Sequence, residues 1–177
     1  MIRTLAYNQQ GEWLEGIPID DLWDQNIQWF WVDFGVPQEH ETNLLDEKFH
    51  FHPLAIEDCL HNLQRPKLDY YGDFTFFVVH AINKIGMEKE ELDIFLGDHY
   101  IVTFHKTAIQ EIDPVWNKIK NETRTDGDQF LILYQIIDKF VDNYFPTVYQ
   151  IEDALNEIED NTKNKSIERL MDELFDI

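Results

Sequence analysis

The stretch FHFHPLAIEDCLHNLQRPKLDYYGDF, Phe49 to Phe74, decides how the chain is divided, because a short helix is embedded there between aromatic, strand-like runs. Pro53 suits the first helical turn, where its missing N–H would be unpaired in any case, and His52 stands just before it in a capping position. Successive helical residues turn by about 100°. Ile56, Cys59, Leu60 and Leu63 therefore fall on one side and are expected to pack inward, while Glu57, Asp58 and His61 fall on the other. Pro66 ends this helix or follows its end.

Outward from this patch, the N-terminal part reads as strands. IRTLAY, IQWFWVDF, DFTFFVVHAI, ELDIFL and HYIVTFH are short aromatic and β-branched runs. Gly97-Asp98, between the last two, predicts an antiparallel hairpin with glycine available for positive φ, and Gly86 marks another hairpin connection. A further helix is expected near Pro37 to Lys48. Beyond His105 the period becomes helical, with one amphipathic helix over Ile109 to Asn121 and a longer one from about Asp128. In the latter, Phe130, Tyr134, Ile137, Val141 and Tyr144 form a core-facing or coiled-coil-like stripe, and Pro146 is expected to kink or break the helix. Val148, Ile151, Leu155 and Ile158 continue the spacing, and Ile167, Leu170 and Leu174 open another helix that reads as cut short at Ile177. Strands gathered into one sheet with helices packed on it give a layered α/β domain, divided as residues 1–126 for the sheet part and 127–177 for a helical section on the same structural domain.

Composition narrows the partners. The 177 residues suit one core that buries roughly 68–70% of the unfolded surface. Asp and Glu number 35 against 14 Lys and Arg, a formal charge of −21. Nucleic-acid binders neutralise phosphates with clustered cations, and anionic lipid repels an acidic surface, so both are excluded as direct partners and a cation is favoured. A 44% hydrophobic content with 14% aromatics excludes disorder. The single cysteine, Cys59, cannot form an intrachain disulfide, which fits the cytosol. MIRTLAYNQQ lacks a signal-peptide pattern, and the apolar run FTFFVVHAI is far shorter than the ~20 residues of a membrane span.

The chemistry-bearing candidates are few. Glu57 and Asp58 are adjacent carboxylates on an outward helix face, a part-site suited to Mg²⁺, which takes one or two carboxylates and keeps several waters. Asp138 and Asp142 lie four apart on the long helix, a like-charge pair that a cation could relieve. Each of these could equally be ordinary solvated surface. His50 and His52 would share a face of an extended segment, a spacing zinc sites also use, but further ligands do not assemble. Cys59 reads as a small buried hydrophobe. In QRPK, Gln64 to Lys67, the basic residues are expected to pair with neighbouring carboxylates. No phosphate loop, nucleophile elbow or kinase signature is present, so no catalytic group assembles.

The run HPLAIEDCLHNLQRPKLDYYGDFTFF, together with FLGDHYIVTFH (Phe95 to His105) and LILYQIIDKFVDNYF (Leu131 to Phe145), resembles the cytosolic N-terminal domain of the CorA-type magnesium and cobalt transporters. The resemblance spans about Trp29 to Phe175. It implies a mixed, mostly antiparallel sheet sandwiched by helices, with C-terminal helices leading to a stalk and two membrane spans in a homopentamer. The domain would lie on the cytoplasmic side of the cell membrane, touch the membrane only through those spans, and carry no enzyme activity. The resemblance further implies that Glu57, Asp58 and Asp138 are metal ligands for regulatory Mg²⁺, with Co²⁺ or other divalent ions as alternatives, bound between subunits so that the closed state is favoured. The Gly-Met-Asn pore signature and the spans are absent from this sequence. The acidic run Glu157 to Asp160 falls where the family carries acidic helix tips, or is a solvated helix end. Other readings are a zinc-transporting relative using His50 and His52, a metal-dependent hydrolase, and a soluble acidic interaction module.

Overall fold

The computed structural model describes residues 1–61, 64–82, 88–121, 128–161, 171 and 174–175. Seven strands form one sheet: β1 (Ile2–Asn8), β2 (Trp13–Glu15), β3 (Ile27–Gly35), β4 (Lys67–Tyr71), β5 (Phe74–Ile82), β6 (Lys89–Gly97) and β7 (Tyr100–His105). Their order is β2-β1-β3-β7-β6-β5-β4. All neighbours pair antiparallel except β3 and β7, which run parallel in the middle of the sheet, with Phe30 opposite Tyr100 and Asp33 opposite Thr103. A parallel pair needs a long crossover, and everything between the two strands supplies it. The fold is thus the mixed, mostly antiparallel α/β sheet expected above.

Both sheet faces are covered, because strand side chains alternate and each face carries its own apolar set. On one face α1 (Glu39–Thr42), α2 (Leu44–Glu47) and α3 (Pro53–Leu60) cover Phe30, Val32, Phe34, Phe76, Phe95 and Phe104. On the other, α4 (Ile112–Lys120) and α5 (Gln129–Asn161) cover Trp29, Trp31, Leu92, Ile94 and Ile101. Phe51, next to α3, stacks on Phe95 at 4.0 Å between ring centroids and fixes that helix against the sheet centre.

The helix expected over Pro37 to Lys48 divides at Asn43, which closes α1 as its C-cap and precedes α2. The short strands β2 and β4 are additions to the expected set. β2 is only three residues long, and KLDYY mixes charge with aromatics and sits on an edge, so neither gives an apolar run. Gly97 does join an antiparallel hairpin, but not through positive φ: a Cβ there would lie 2.3 Å from the Tyr100 ring. Close approach of an aromatic side chain is what requires glycine at this position. The connection expected around Gly86 lies outside the described residues.

The largest correction concerns α5. Phe130, Tyr134 and Val141, read as core-facing or coiled-coil-like, are 55%, 61% and 45% exposed, whereas Ile132, Ile136 and Phe140 are buried, so the core-facing alternative falls. Both series have helical spacing, so periodicity alone could not choose between them; the sheet selects the face with isoleucines at successive turns. Nor does Pro146 break the helix, which continues to Asn161. Proline removes one N–H, leaving the Asp142 carbonyl without its helical donor, but both residues are exposed to water there. Of the helix expected around Ile167, only Met171, Leu174 and Phe175 lie within the described residues, and these are helical and exposed.

Candidate metal-binding site

The helix α3 begins as read from the sequence. Pro53 occupies its first turn, and His52 Nδ1 accepts the Leu54 N–H at 3.2 Å. Ala55 and Cys59 are its fully buried residues, and Leu60, expected inward, is 44% exposed. Leu63 lies outside the described residues. One helical turn therefore holds α3 to the sheet, and its remaining circumference faces solvent or the edge strand β4.

In β4 the alternation of a strand puts Lys67, Asp69 and Tyr71 on the face that looks toward α3. Opposite them stand Glu57 and Asp58. Together with Leu54 and Tyr70 these residues line an open pocket of about 530 Å³. Lys67 Nζ donates to Asp58 Oδ2 at 2.6 Å and also contacts Asp69 Oδ2 at 2.9 Å. The hydrogen bond to Asp58 first, against some desolvation, and then that to Asp69 hold the lysine well above its ordinary pKa. For Lys67, this is the carboxylate pairing expected of the basic residues in QRPK. Asp69 is the carboxylate that sequence reasoning missed, and its signal was the K-x-D alternation of an edge strand.

The donor set is oxygen only. Carboxylate oxygens are the donors a hard divalent ion prefers, but Lys67 occupies Asp58 and Asp69 in a single copy, and neither imidazole nor thiolate lines the pocket. His50 and His52 do not act as a pair: His50 has φ +53 and interrupts the extended alternation, while the His52 ring stacks on Tyr71 and spends Nδ1 on the helix cap. Cys59 is fully buried and its thiol is pushed well above the ordinary value by burial, then by Asp93, so it is no nucleophile.

Asp138 lies elsewhere. It is exposed on α5, on the opposite side of the sheet, in a cleft of about 200 Å³ shared with Lys118 of α4 and with Lys139 and Asp142. Within one copy of the chain the sheet separates Asp138 from Glu57 and Asp58. Among the described residues no three His, Cys, Asp or Glu side chains are grouped closely enough to hold a metal ion. Glu157 and Glu159 are exposed on the distal half of α5.

Two buried polar clusters were not anticipated. On the α4–α5 face, Arg3 Nε donates to Asp33 Oδ2 at 2.9 Å and Thr103 Oγ1 donates to Asp33 Oδ1 at 2.6 Å. His105 Nε2 lies 3.4 Å from Asp33 Oδ1. Burial works against the Asp33 charge, but His105, Thr103 and Arg3 outweigh it and keep this carboxyl below its usual value. Under α3, Glu91 and Asp93 point into the core, 6% and 1% exposed, each with one oxygen lacking a hydrogen bond. Burial first and Glu91 second push Asp93 up to about 7. Both clusters were visible as acidic residues inside apolar strand runs, WVDF and ELDIF.

The CorA-like Mg²⁺ transporter profile matches residues 26–177. The chain is 45% identical over its full length to the putative metal ion transporter YfjQ of Bacillus subtilis, of which it covers 56%. It is 27% identical to the cobalt/magnesium transport protein CorA of Thermotoga maritima, across 73% of this chain and 39% of that protein. It therefore spans about half or less of these relatives. The soluble domain of CorA from Methanocaldococcus jannaschii has the same fold, with a TM-score of 0.71 at 18% identity over 99% of this chain and 69% of that one. Among the described residues no helix is long and apolar enough to cross a membrane. With the profile covering five of the seven strands and both helical layers, the chain belongs to the CorA-like family of metal-ion transporters.

Proposed function

We propose that this chain is the cytoplasmic, metal-sensing portion of a CorA-type Mg²⁺ or Co²⁺ transporter, in which Glu57, Asp58 and Asp138 bind regulatory Mg²⁺ between neighbouring subunits and favour the closed state. The supporting observation is their placement on opposite layers of one sheet. A head-to-tail ring brings unlike faces of successive copies together, and such a contact can complete a site that no single copy contains. The ion must bind the closed arrangement better than the open one to shift the balance. Residues 127–177 would lead through α5 toward a stalk and membrane spans, and a homopentamer is the assembly the family resemblance implies. The exposed residues of α5, Phe130, Tyr134, Val141 and Phe145, are compatible with packing against further protein.

The test is a Mg²⁺ titration of the full-length assembly, following protection of α3 from proteolysis, with and without Asp58→Ala plus Asp138→Ala. Loss of the Mg²⁺ response in the double variant is expected. An unchanged response would remove these residues as ligands. The absence of imidazole and thiolate from the pocket argues against the zinc alternative at this site.

A further inference from the structure

We infer that His105 is a proton-operated latch: with both ring nitrogens protonated it closes a chain of contacts through Asp33 and Arg3 that ties the first turn of α4 to the sheet, and loss of the Nε2 proton loosens that tie. The same helix lends Lys118 to the cleft beside Asp138, so the latch acts on that surface without depending on a metal ion there.

The hydrogen-bonding roles of the ring are fixed by its surroundings. His105 ends β7 and is buried. Its Nδ1 meets the Thr107 carbonyl oxygen at 2.5 Å, and a carbonyl only accepts, so Nδ1 carries a hydrogen. Nε2 makes no hydrogen bond and lies 3.4 Å from Oδ1 of the buried Asp33. In a neutral ring Nε2 is an acceptor, and two acceptors then confront each other out of water, which is costly. A second proton turns the same contact into a charge-assisted one. Gly35 makes room for it: a Cβ there would stand 3.3 Å from Cε1 and Nε2 of the ring. Burial disfavours the charge, but Asp33 and the Thr107 carbonyl outweigh it, so the proton leaves above the ordinary imidazole value.

From Asp33 the contacts run on to α4. The carboxylate also accepts from Arg3 and from Thr103, whose hydroxyl accepts from Trp31. Arg3 donates from Nη1 to Asp113, in the first turn of α4, at 2.6 Å, and its guanidinium lies 4.4 Å from the centre of the Trp116 ring. That turn is loosely begun: the Ile112 and Val115 amides bond at 3.3 and 3.4 Å, and Pro114 brings no donor. Asn143 of α5 donates to the buried Glu111 and holds the same end, so the latch loosens this turn rather than freeing it. The charged groups around the ring are Arg3 of β1, Asp33 of β3, Asp113 of α4 and the Met1 ammonium, which Glu41 of α1 answers at 3.5 Å. Glu91, Asp93 and the Lys106 ammonium belong to the α3 face of the sheet. A cavity of about 340 Å³ beside the ring gives water a route to the two acceptors once the proton is lost.

The test follows the chain by ¹⁵N NMR of its imidazoles and by hydrogen exchange of the Ile112 and Val115 amides, from about pH 6 to about pH 9. Two protonated ring nitrogens on His105 are expected at the lower pH, with Nε2 alone titrating. Opening of the turn should rise by up to about tenfold per pH unit between about 6.5 and the folded value, then level off. Base catalysis of exchange adds its own factor of about ten per unit, so the logarithmic slope should approach about two in the wild type and stay near about one in His105→Gln. Arg3→Gln should leave His105 titrating but uncouple the amides from it. A ring that is neutral at about pH 6, or whose neutral form carries its hydrogen on Nε2, overturns the latch. So does a wild-type slope of about one throughout, which would make His105 a static buried charge. Both decisive measurements use the wild type, so a variant that fails to fold does not blur the outcome.

Discussion

Asp93→Asn is expected to stabilise the fold, by an amount that grows with pH. Asp93 lies under α3, 1% exposed, with the Cys59 thiol donating to it, Glu91 on the same strand face and Asp58 above. Lys106 is a cation that acts on it, and it donates to the His61 carbonyl at the end of α3. Burial first, and Glu91 second, push its carboxyl up to about 7 from an ordinary value of about 3.9. A group whose folded pKa is raised holds its proton longer in the folded state than in the unfolded one. Stability therefore falls as pH rises from about 4 to about 7 and levels off above that. A rise of about three units at about 1.4 kcal/mol each caps the penalty near 4 kcal/mol above neutrality, and structural relaxation reduces it to about 1–3 kcal/mol. Asparagine keeps the shape and an acceptor for Cys59 but never ionises. Urea denaturation of both proteins at about pH 5 and about pH 8 should show the variant gaining roughly 1–3 kcal/mol at the higher pH and much less at the lower. A variant that is equally or less stable at both pH values, with the same difference, would show that Asp93 is not a strained ionised group.

Asp33→Ala should be among the most damaging single changes, costing about 3–5 kcal/mol, because it leaves the buried His105 without its counter-charge and Arg3 with Asp113 as its remaining carboxylate; thermal melts measure it. The pH dependence carries two signs. His105 is raised by Asp33 against burial, so its contribution is present below about 6.5 and is lost as pH rises through its folded value. Asp33 is depressed, so its contribution is present above about 4 and is lost as pH falls through its folded value. A His105→Gln variant should remove the alkaline limb and leave the acid limb, by denaturation across pH. Gly97→Ala should lower the melting temperature through overpacking against Tyr100, at about 1–3 kcal/mol. Ile136→Ala should cost about 2–5 kcal/mol while Tyr134→Ser changes the stability of this chain by less than about 0.5 kcal/mol, which separates the buried face of α5 from the exposed one.

The particular misreadings have one physical origin. Phe30, Phe76, Phe95 and Phe104 were legible as strand residues because burial on both sheet faces makes a continuous apolar run, and Pro53 with His52 marked α3 because the capping chemistry is local. The core-facing side of α5 was not legible, since two apolar stripes satisfy the same period and only the sheet distinguishes them. For the same reason the candidate site was half visible. Glu57 and Asp58 announced themselves as neighbours in sequence, whereas Asp69 joins them only because an edge strand pairs with β5 and turns alternate residues toward α3.

The charge of −21 gains a more specific meaning from the two acidic surfaces around Asp58 and Asp138. Neither is a bare cluster of carboxylates: Lys67 bridges Asp58 and Asp69, and Lys118 and Lys139 line the cleft beside Asp138. With only 14 Lys and Arg in the chain, placing three lysines at these two surfaces concentrates counter-charge where unlike faces would meet in a ring. Simple repulsion between empty sites is then too blunt an account of a metal-dependent interface. Under the proposed function, a divalent ion would exchange with tethered ammonium groups rather than quench naked charge. The free energy of switching would be the difference between two occupied states, small enough for a cytoplasmic ion concentration to decide. If instead bare repulsion governed the interface, replacing Lys67 with methionine in the full-length assembly would drive subunits apart at low Mg²⁺ while leaving the Mg²⁺ midpoint for closure unchanged. The exchange account requires that midpoint to fall.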